Sequence, residues 1–171
     1  QLREVCATLE EDFDYVLMDC PAGIEQGFKN AVAAAQEAIL VTTPEVSSIR
    51  DADRVIGLLE ASDLHRPKLI INRINPAMVR QGNMMDQRDI VDLLAVDVIG
   101  LVPVDDRTIT AANRGVPVVH DKKAPAGAAF LRIAARVDGD EVPLMEMEYR
   151  SSLMSRFKGL VGMNGRAYSH A

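Results

Sequence analysis

A chain of 171 residues, 48% of them apolar, fits one domain of ordinary size with a sizeable core. No apolar run approaches the ~20 residues of a membrane-spanning helix, and the opening QLREVCATLEED is amphipathic and acidic, unlike a secretory leader. The net charge is −6, and it is unevenly spread: residues 149–171 contain no Asp or Glu and carry +4 from Arg150, Arg156, Lys158 and Arg166, which leaves −10 on the chain before them. An acidic body argues against non-specific nucleic-acid binding. A basic end on that body points to two separate tasks.

The chain opens inside a helical pattern, with Leu2, Val5, Cys6 and Leu9 on one face. With no initiator Met, the true N-terminus is expected upstream. Cys6 and Cys20 match no metal or redox spacing and read as two buried thiols in a reducing cytoplasm. Four apolar runs then read as strands: YVLMDC (15–20), AILVTT (38–43), KLIINR (68–73) and VIGLV (98–102). Their continuous Val, Ile and Leu content suits strands covered on both faces. Helical patterns lie between and after them, at about 26–36, 48–62, 86–96, 106–114 and 124–138. This alternation predicts an α/β fold, a doubly wound and mostly parallel sheet with flanking helices. The predicted organisation is a body at 1–138, an exposed acidic linker at 139–148, an amphipathic helix at 149–163 and a frayed tail at 164–171.

In open α/β sheets, ligands bind outside the carboxyl ends of the strands. Asp19 closes the first predicted strand. A carboxylate there holds Mg²⁺ beside phosphate oxygens, directly or through water, or else caps the following turn. Pro21 ends the pairing, Ala22 follows, and Gly23 lets the backbone approach a phosphate or change conformation. Asn72 presents a donor and an acceptor together, which matches the adenine edge, or it is a turn residue. Pro103 packs against a base or simply terminates its strand. A phosphate-cradling loop of the form G-x-x-x-x-G-K-[ST] is absent from the chain.

The segments FDYVLMDCPAGIEQGFKNAV, TTPEVSSIRDADRVIGLL, INR, GLVPVDD and AANRGVPVV, in that order, resemble the MinD family of septum-site-determining ATPases. PAGIE and PEVSSIRDADR are typical of that family. The resemblance implies a P-loop NTPase-like fold without its P-loop strand, corresponding to about the C-terminal two thirds of such a protein, with 1–138 a partial ATPase domain. It implies ATP and Mg²⁺ as ligands. Asp19 would be the Walker B aspartate, acting on Mg²⁺ through water, with Pro21, Ala22 and Gly23 in the switch loop. Asn72, Arg73, Pro103, Val104 and Asp105 would lie at the adenine. Glu45, Asp51 and Asp53 would serve the dimer and partner surface; from composition, Asp51, Asp53 and Arg54 are a solvated helix face. The resemblance also implies an ATP-bound homodimer, recruitment of a MinC-type division inhibitor, a topological or activating factor, and no specific nucleic acid. Without a P-loop, residues 1–171 alone are expected not to hydrolyse ATP.

On a helix, Leu153, Met154, Phe157, Leu160 and Val161 share one arc, with Arg156 and Lys158 at its boundaries. That arrangement suits an interfacial helix on anionic lipid, or a terminal helix docked on the body. With the resemblance, the expected location is cytoplasmic and peripheral, on the cytoplasmic face of the bacterial inner membrane. Two other readings compete: a chromosome or plasmid partition ATPase, which predicts a basic body and no amphipathic tail, and a non-enzymatic membrane-binding module.

Overall fold

The structure is a computed structural model that describes residues 2–20 and 23–145. Pro21, Ala22 and the membrane residues Leu153, Met154, Arg156, Phe157, Lys158, Leu160 and Val161 lie outside the described residues. The elements run α1 (Leu2–Glu10), α2 (Gln26–Ala34), β1 (Ile39–Thr42), α3 (Val46–Glu60), β2 (Lys68–Ile74), α4 (Pro76–Arg80), α5 (Gln87–Leu94), β3 (Asp97–Pro103), α6 (Asp106–Asn113), a 3-10 turn at Val118–His120, and α7 (Pro125–Val137). The three strands form one parallel sheet in the order β1-β2-β3.

Both faces of that sheet are covered. Leu69 and Ile71 of β2 and Leu101 of β3 pack with Ile49, Ala52 and Ile56 of α3 and Ile90 and Leu94 of α5. The alternate residues, Ile70 and Val102, pack with Ala126, Ala129 and Ile133 of α7. A strand's side chains alternate between faces, so a sheet buried on both sides needs apolar residues at every position. Residues 69–71 of β2 and 98–102 of β3 meet that need.

The register of β2 against β3 breaks twice. Leu69 pairs with Val98 but Ile70 pairs with Gly100, which leaves Ile99 as an extra residue of β3. Ile99 and Gly100 therefore both serve the α7 side. A Cβ on Gly100 would fall 2.3 Å from Ile133 Cδ1, so the bare backbone is what admits Ile133. The second break lies between Ile71 and Ile74, which pair with Leu101 and Pro103 and leave one extra residue on β2. Arg73 takes φ 59°, and Asn72 Oδ1 accepts from its N–H at 2.9 Å. A β-bulge of this kind resets the phase of the strand. Ile74 returns to the Leu69 and Ile71 face, while Asn72 and Arg73 are displaced from it.

The first predicted strand is corrected. Residues 15–20 take no regular secondary structure and pair with no strand among the described residues, and Leu17 is 83% exposed. A strand exists only through its partner's N–H and C=O groups, and none lies beside YVLMDC here. On the same side of the sheet, the outer edge of β1 is unpaired among the described residues, with Val41 60% exposed. The groove between β1 and residues 13–20 has a volume of about 440 Å³, bounded by Phe13, Val16, Met18, Ile39 and Leu40.

Candidate functional site

The carboxyl ends of the three strands open on one side of the sheet. A cavity of about 790 Å³ lies there, lined by Glu45 and Val46 at the start of α3, Arg73 from the β2 bulge, Val104 after β3, and residues of α4, the loop after it and the start of α5, among them Asn75, Met78, Met84, Met85, Asp86 and Asp89. Each lining residue has a local cause. Pro44 is buried and Glu45 is the N-cap of α3, yet its side chain makes no capping bond, so its exposed carboxylate remains free to face the cavity. Asn75 caps the short α4, accepting from Ala77 N–H at 3.0 Å and Met78 N–H at 3.3 Å, with Pro76 at the first helical position. Asp86 opens α5 with a reciprocal capping box: it accepts from Arg88 and Asp89 N–H, and Asp89 accepts from Asp86 N–H. These caps fix the loop between α4 and α5, and Met78, Met84 and Met85 form its soft apolar wall.

Three of the residues singled out in the sequence, Glu45, Arg73 and Val104, line this cavity together. Asn72 stands beside Arg73 in the bulge, half-buried, with its carbonyl already used on Arg73 N–H and its NH₂ left as a donor. Pro103 pairs with Ile74, and Val104 N–H continues that pairing by donating to Ile74 O at 2.9 Å. Asp105 has both oxygens engaged: one accepts from Arg107 N–H at 3.0 Å, the other from Ala126 N–H at 3.2 Å. It caps α6 and holds the start of α7 with one carboxylate. Asp51 and Asp53 are exposed on α3 and stand apart from the cavity lining. Asp19 is exposed at the end of the unpaired segment and does not line the cavity. Gly23 takes φ 107°, with open space where a Cβ would stand.

The charge pattern distinguishes the ends of a possible ligand. Glu45, Asp86 and Asp89 line the cavity, and Arg73 is the sole cationic lining residue among the described residues. Such a site offers an apolar wall and amide donors to a planar base, but no cradle of cations and N–H groups for a triphosphate. Among the described residues, no group of three or more His, Cys, Asp or Glu could hold a metal ion. Mg²⁺ in nucleotide sites takes one or two carboxylates and completes its shell with phosphate oxygens and water. A single Asp19 fits that demand, whereas an all-protein cage would not.

Asn75, Met78, Met84, Met85 and Asp89 carry no signal of a ligand site in the sequence. The Asn-Pro pair signals the start of a helix, and an apolar spacing that lengthens from two to three at Leu69, Ile71 and Ile74 signals the bulge.

No family model matches the chain. Among known proteins, the septum site-determining protein MinD of Synechocystis is 49% identical over 160 residues, which cover 92% of this chain and 60% of that protein. The protein of the same name from Bacillus subtilis is 45% identical over 165 residues, 95% of this chain and 62% of that one. Among solved structures, the MinC:MinD cell division protein complex of Aquifex aeolicus superposes with a TM-score of 0.79 at 46% identity, covering 85% of this chain and 62% of that one. MinD of Pyrococcus horikoshii, complexed with Mg-ADP, gives 0.72 at 30% identity over 81% of this chain and 56% of that one. The chain spans about three fifths of the length of the curated relatives it matches.

Proposed function

Since the chain is of the MinD family in sequence and in fold over the part it spans, we propose that it is part of an ATP-dependent, membrane-associated ATPase that places the cell-division site. The observation that carries this reading is the coincidence of that similarity with a cavity at the carboxyl ends of a parallel sheet, where Glu45, Arg73 and Val104 meet. In this reading the base of an adenine nucleotide lies against the β2 bulge and the turn after β3. Asn72 donates its free NH₂ to a ring acceptor, and Arg73 and Val104 wall the site. Asp19 supplies the one carboxylate that a phosphate-bound Mg²⁺ requires. Bound magnesium nucleotide supplies the phosphoanhydride that is cleaved. Turnover by residues 1–171 alone is not expected, because their sequence holds no G-x-x-x-x-G-K-[ST] loop and Arg73 is the only cation among the described residues that lines the cavity.

The partners follow from the same similarity. In Aquifex aeolicus the similar chain is found in a complex of MinC with MinD. A MinC-type inhibitor is the partner proposed for this chain, with Asp51 and Asp53 on the exposed side of α3 as part of its surface or of the homodimer's. Residues 149–163 serve as the anchor on anionic lipid at the cytoplasmic face of the inner membrane. Each basic residue there adds about 1 kcal/mol, and two tails on a dimer multiply the binding of one by ~10²–10⁴. An activating or positioning factor completes the cycle.

Equilibrium dialysis of labelled Mg-ATP against the whole chain tests the nucleotide part. Saturable binding that falls severalfold in Asn72→Ala and Arg73→Ala supports it; equal binding by parent and variants overturns it. Sedimentation with vesicles of phosphatidylglycerol and phosphatidylcholine tests the anchor. Loss of binding when residues 146–171 are removed is the expected result.

A further inference from the structure

Helix α7 ends in a Schellman motif. Gly139 takes φ 101°, its N–H donates to Arg136 O at 3.2 Å, and Asp140 N–H donates to Ala135 O at 2.9 Å. That turn sends the chain back over the protein instead of on into solvent. Arg136 then holds the returning chain. Its Nε donates to Val142 O at 2.8 Å and its Nη2 to Pro143 O at 2.5 Å, while Nη1 donates to Ile99 O at 2.7 Å. Ile99 is the extra residue of the β3 bulge, without a partner in the ladder. One planar guanidinium thus joins α7, β3 and residues 142–143, a task that suits its rigid fork of donors. Met145 completes the attachment by packing on the cluster of Ile70, Val102, Ala126, Ala129 and Ile133. A further bond reaches the same corner from the segment before α2: Tyr15 Oη donates to Asp138 Oδ1 at 2.8 Å. Tyr15 lies on the same segment as Asp19.

We propose that residues 138–145 form a strap, fastened by Arg136 and Tyr15, that fixes the point at which the amphipathic 149–163 segment leaves the body. The acidic stretch is then no free linker. With the strap fastened, residues 146–148 alone separate Met145 from the segment, a reach of at most about 10 Å. With it loose, ten residues intervene and the reach grows to about 35 Å. What the strap is for rests on the membrane reading above. A tail on a short, fixed tether meets a second tail at higher effective concentration, by about sixfold if that quantity falls as the −3/2 power of tether length.

The test uses the whole chain on a Cys20→Ser background, since Cys20 is the exposed thiol and Cys6 is buried. Spin labels at Arg132→Cys on α7 and Tyr149→Cys report the distance between body and tail by pulsed electron resonance. The parent is expected to give one narrow distribution. Arg136→Met is expected to broaden it at least twofold and shift it to longer distance. Arg136→Lys restores part of the narrow component, because one ammonium keeps the charge but cannot span three carbonyls. Gly139→Ala breaks the strap from its other end: a Cβ there meets nothing within 4 Å, so the effect comes from the left-handed turn alone. Tyr15→Phe gives the smallest broadening. Should Arg136→Met fail to fold by circular dichroism, Gly139→Ala decides. Parent-like distributions in both overturn the strap. Undiminished vesicle binding by a chain lacking 146–171 overturns the membrane reading instead, and leaves the distance result standing.

Discussion

The two sides of the sheet differ in what they are given to pair with. On the β2–β3 side, the two strands pair along their length except at two bulges, and helices cover both faces; Leu69 and Ile71 are wholly buried. On the β1 side, an equally apolar stretch, YVLMDC, runs past an open edge and pairs with no strand among the described residues, with Leu17 83% and Val41 60% exposed. Composition is nearly the same on both sides. The difference shows that an apolar run becomes a buried strand only when a second backbone satisfies its N–H and C=O groups.

The largest contrast should come from truncating one residue on each side. Ile71→Ala removes a side chain with no exposure and is expected to cost about 3 kcal/mol, whereas Leu17→Ala should stay within about 0.5 kcal/mol. Urea unfolding of the two variants reads both, and similar losses would erase the distinction. Next come two glycines, Gly127 within α7 and Gly100 on the strand beneath it. A Cβ at Gly127 would stand 2.6 Å from Val118 O, a backbone atom, whereas one at Gly100 would press on the movable end of Ile133. Gly127→Ala is expected to cost about 2 kcal/mol and Gly100→Ala about 1 kcal/mol, in that order by thermal melting.

A smaller effect is expected at the cavity rim. Asn75→Ala removes the cap of α4 and should cost about 1 kcal/mol. Because α4 carries part of the cavity wall, the variant also probes whether that wall is held by its cap. The smallest effect is electrostatic. Lys123 N–H and then the Arg107 guanidinium, 2.8 Å away, hold the Asp121 carboxyl below its usual range. A carboxyl so depressed contributes stability that is present above its unfolded value of about 4 and lost as pH falls through the lower folded value. Acid titration of Asp121→Asn should therefore lack a slight loss of stability below about pH 4 that the parent shows.

The longer helices and the strands β2 and β3 are legible in the sequence, because both carry their period along their whole length, whereas the five-residue α4 lies outside every predicted helical pattern. KLIINR and VIGLV lie inside Lys68–Ile74 and Asp97–Pro103, and the pattern at 48–62 falls within two residues of Val46–Glu60. The strand at 15–20 misleads, because its apolar content reports on burial and not on the presence of a partner. Asn72 and Arg73 are conspicuous as polar residues at the end of an apolar strand, but the bulge that displaces them shows in the sequence only as a shift of phase before Ile74. Asp105 looks like a ligand residue and is found holding two helix ends. Met84 and Met85 lack a periodic pattern and emerge as cavity wall once Asn75 and Asp86 fix the loop between their helices. Arg136 is one charge among several in a helix, and its grip on three carbonyls depends on a turn at Gly139 that no local pattern of charge reveals.

Titration of isotope-labelled chain with Mg-ATP, followed residue by residue in the amide spectrum, asks most directly whether the carboxyl-end cavity takes the base of an adenine nucleotide. Saturable shifts at Asn72, Arg73 and Val104, with the amides of Ala135 and Asp140 unmoved, are the predicted result. Shifts of the same size with magnesium triphosphate lacking the nucleoside, or no shift at these three positions, would contradict it.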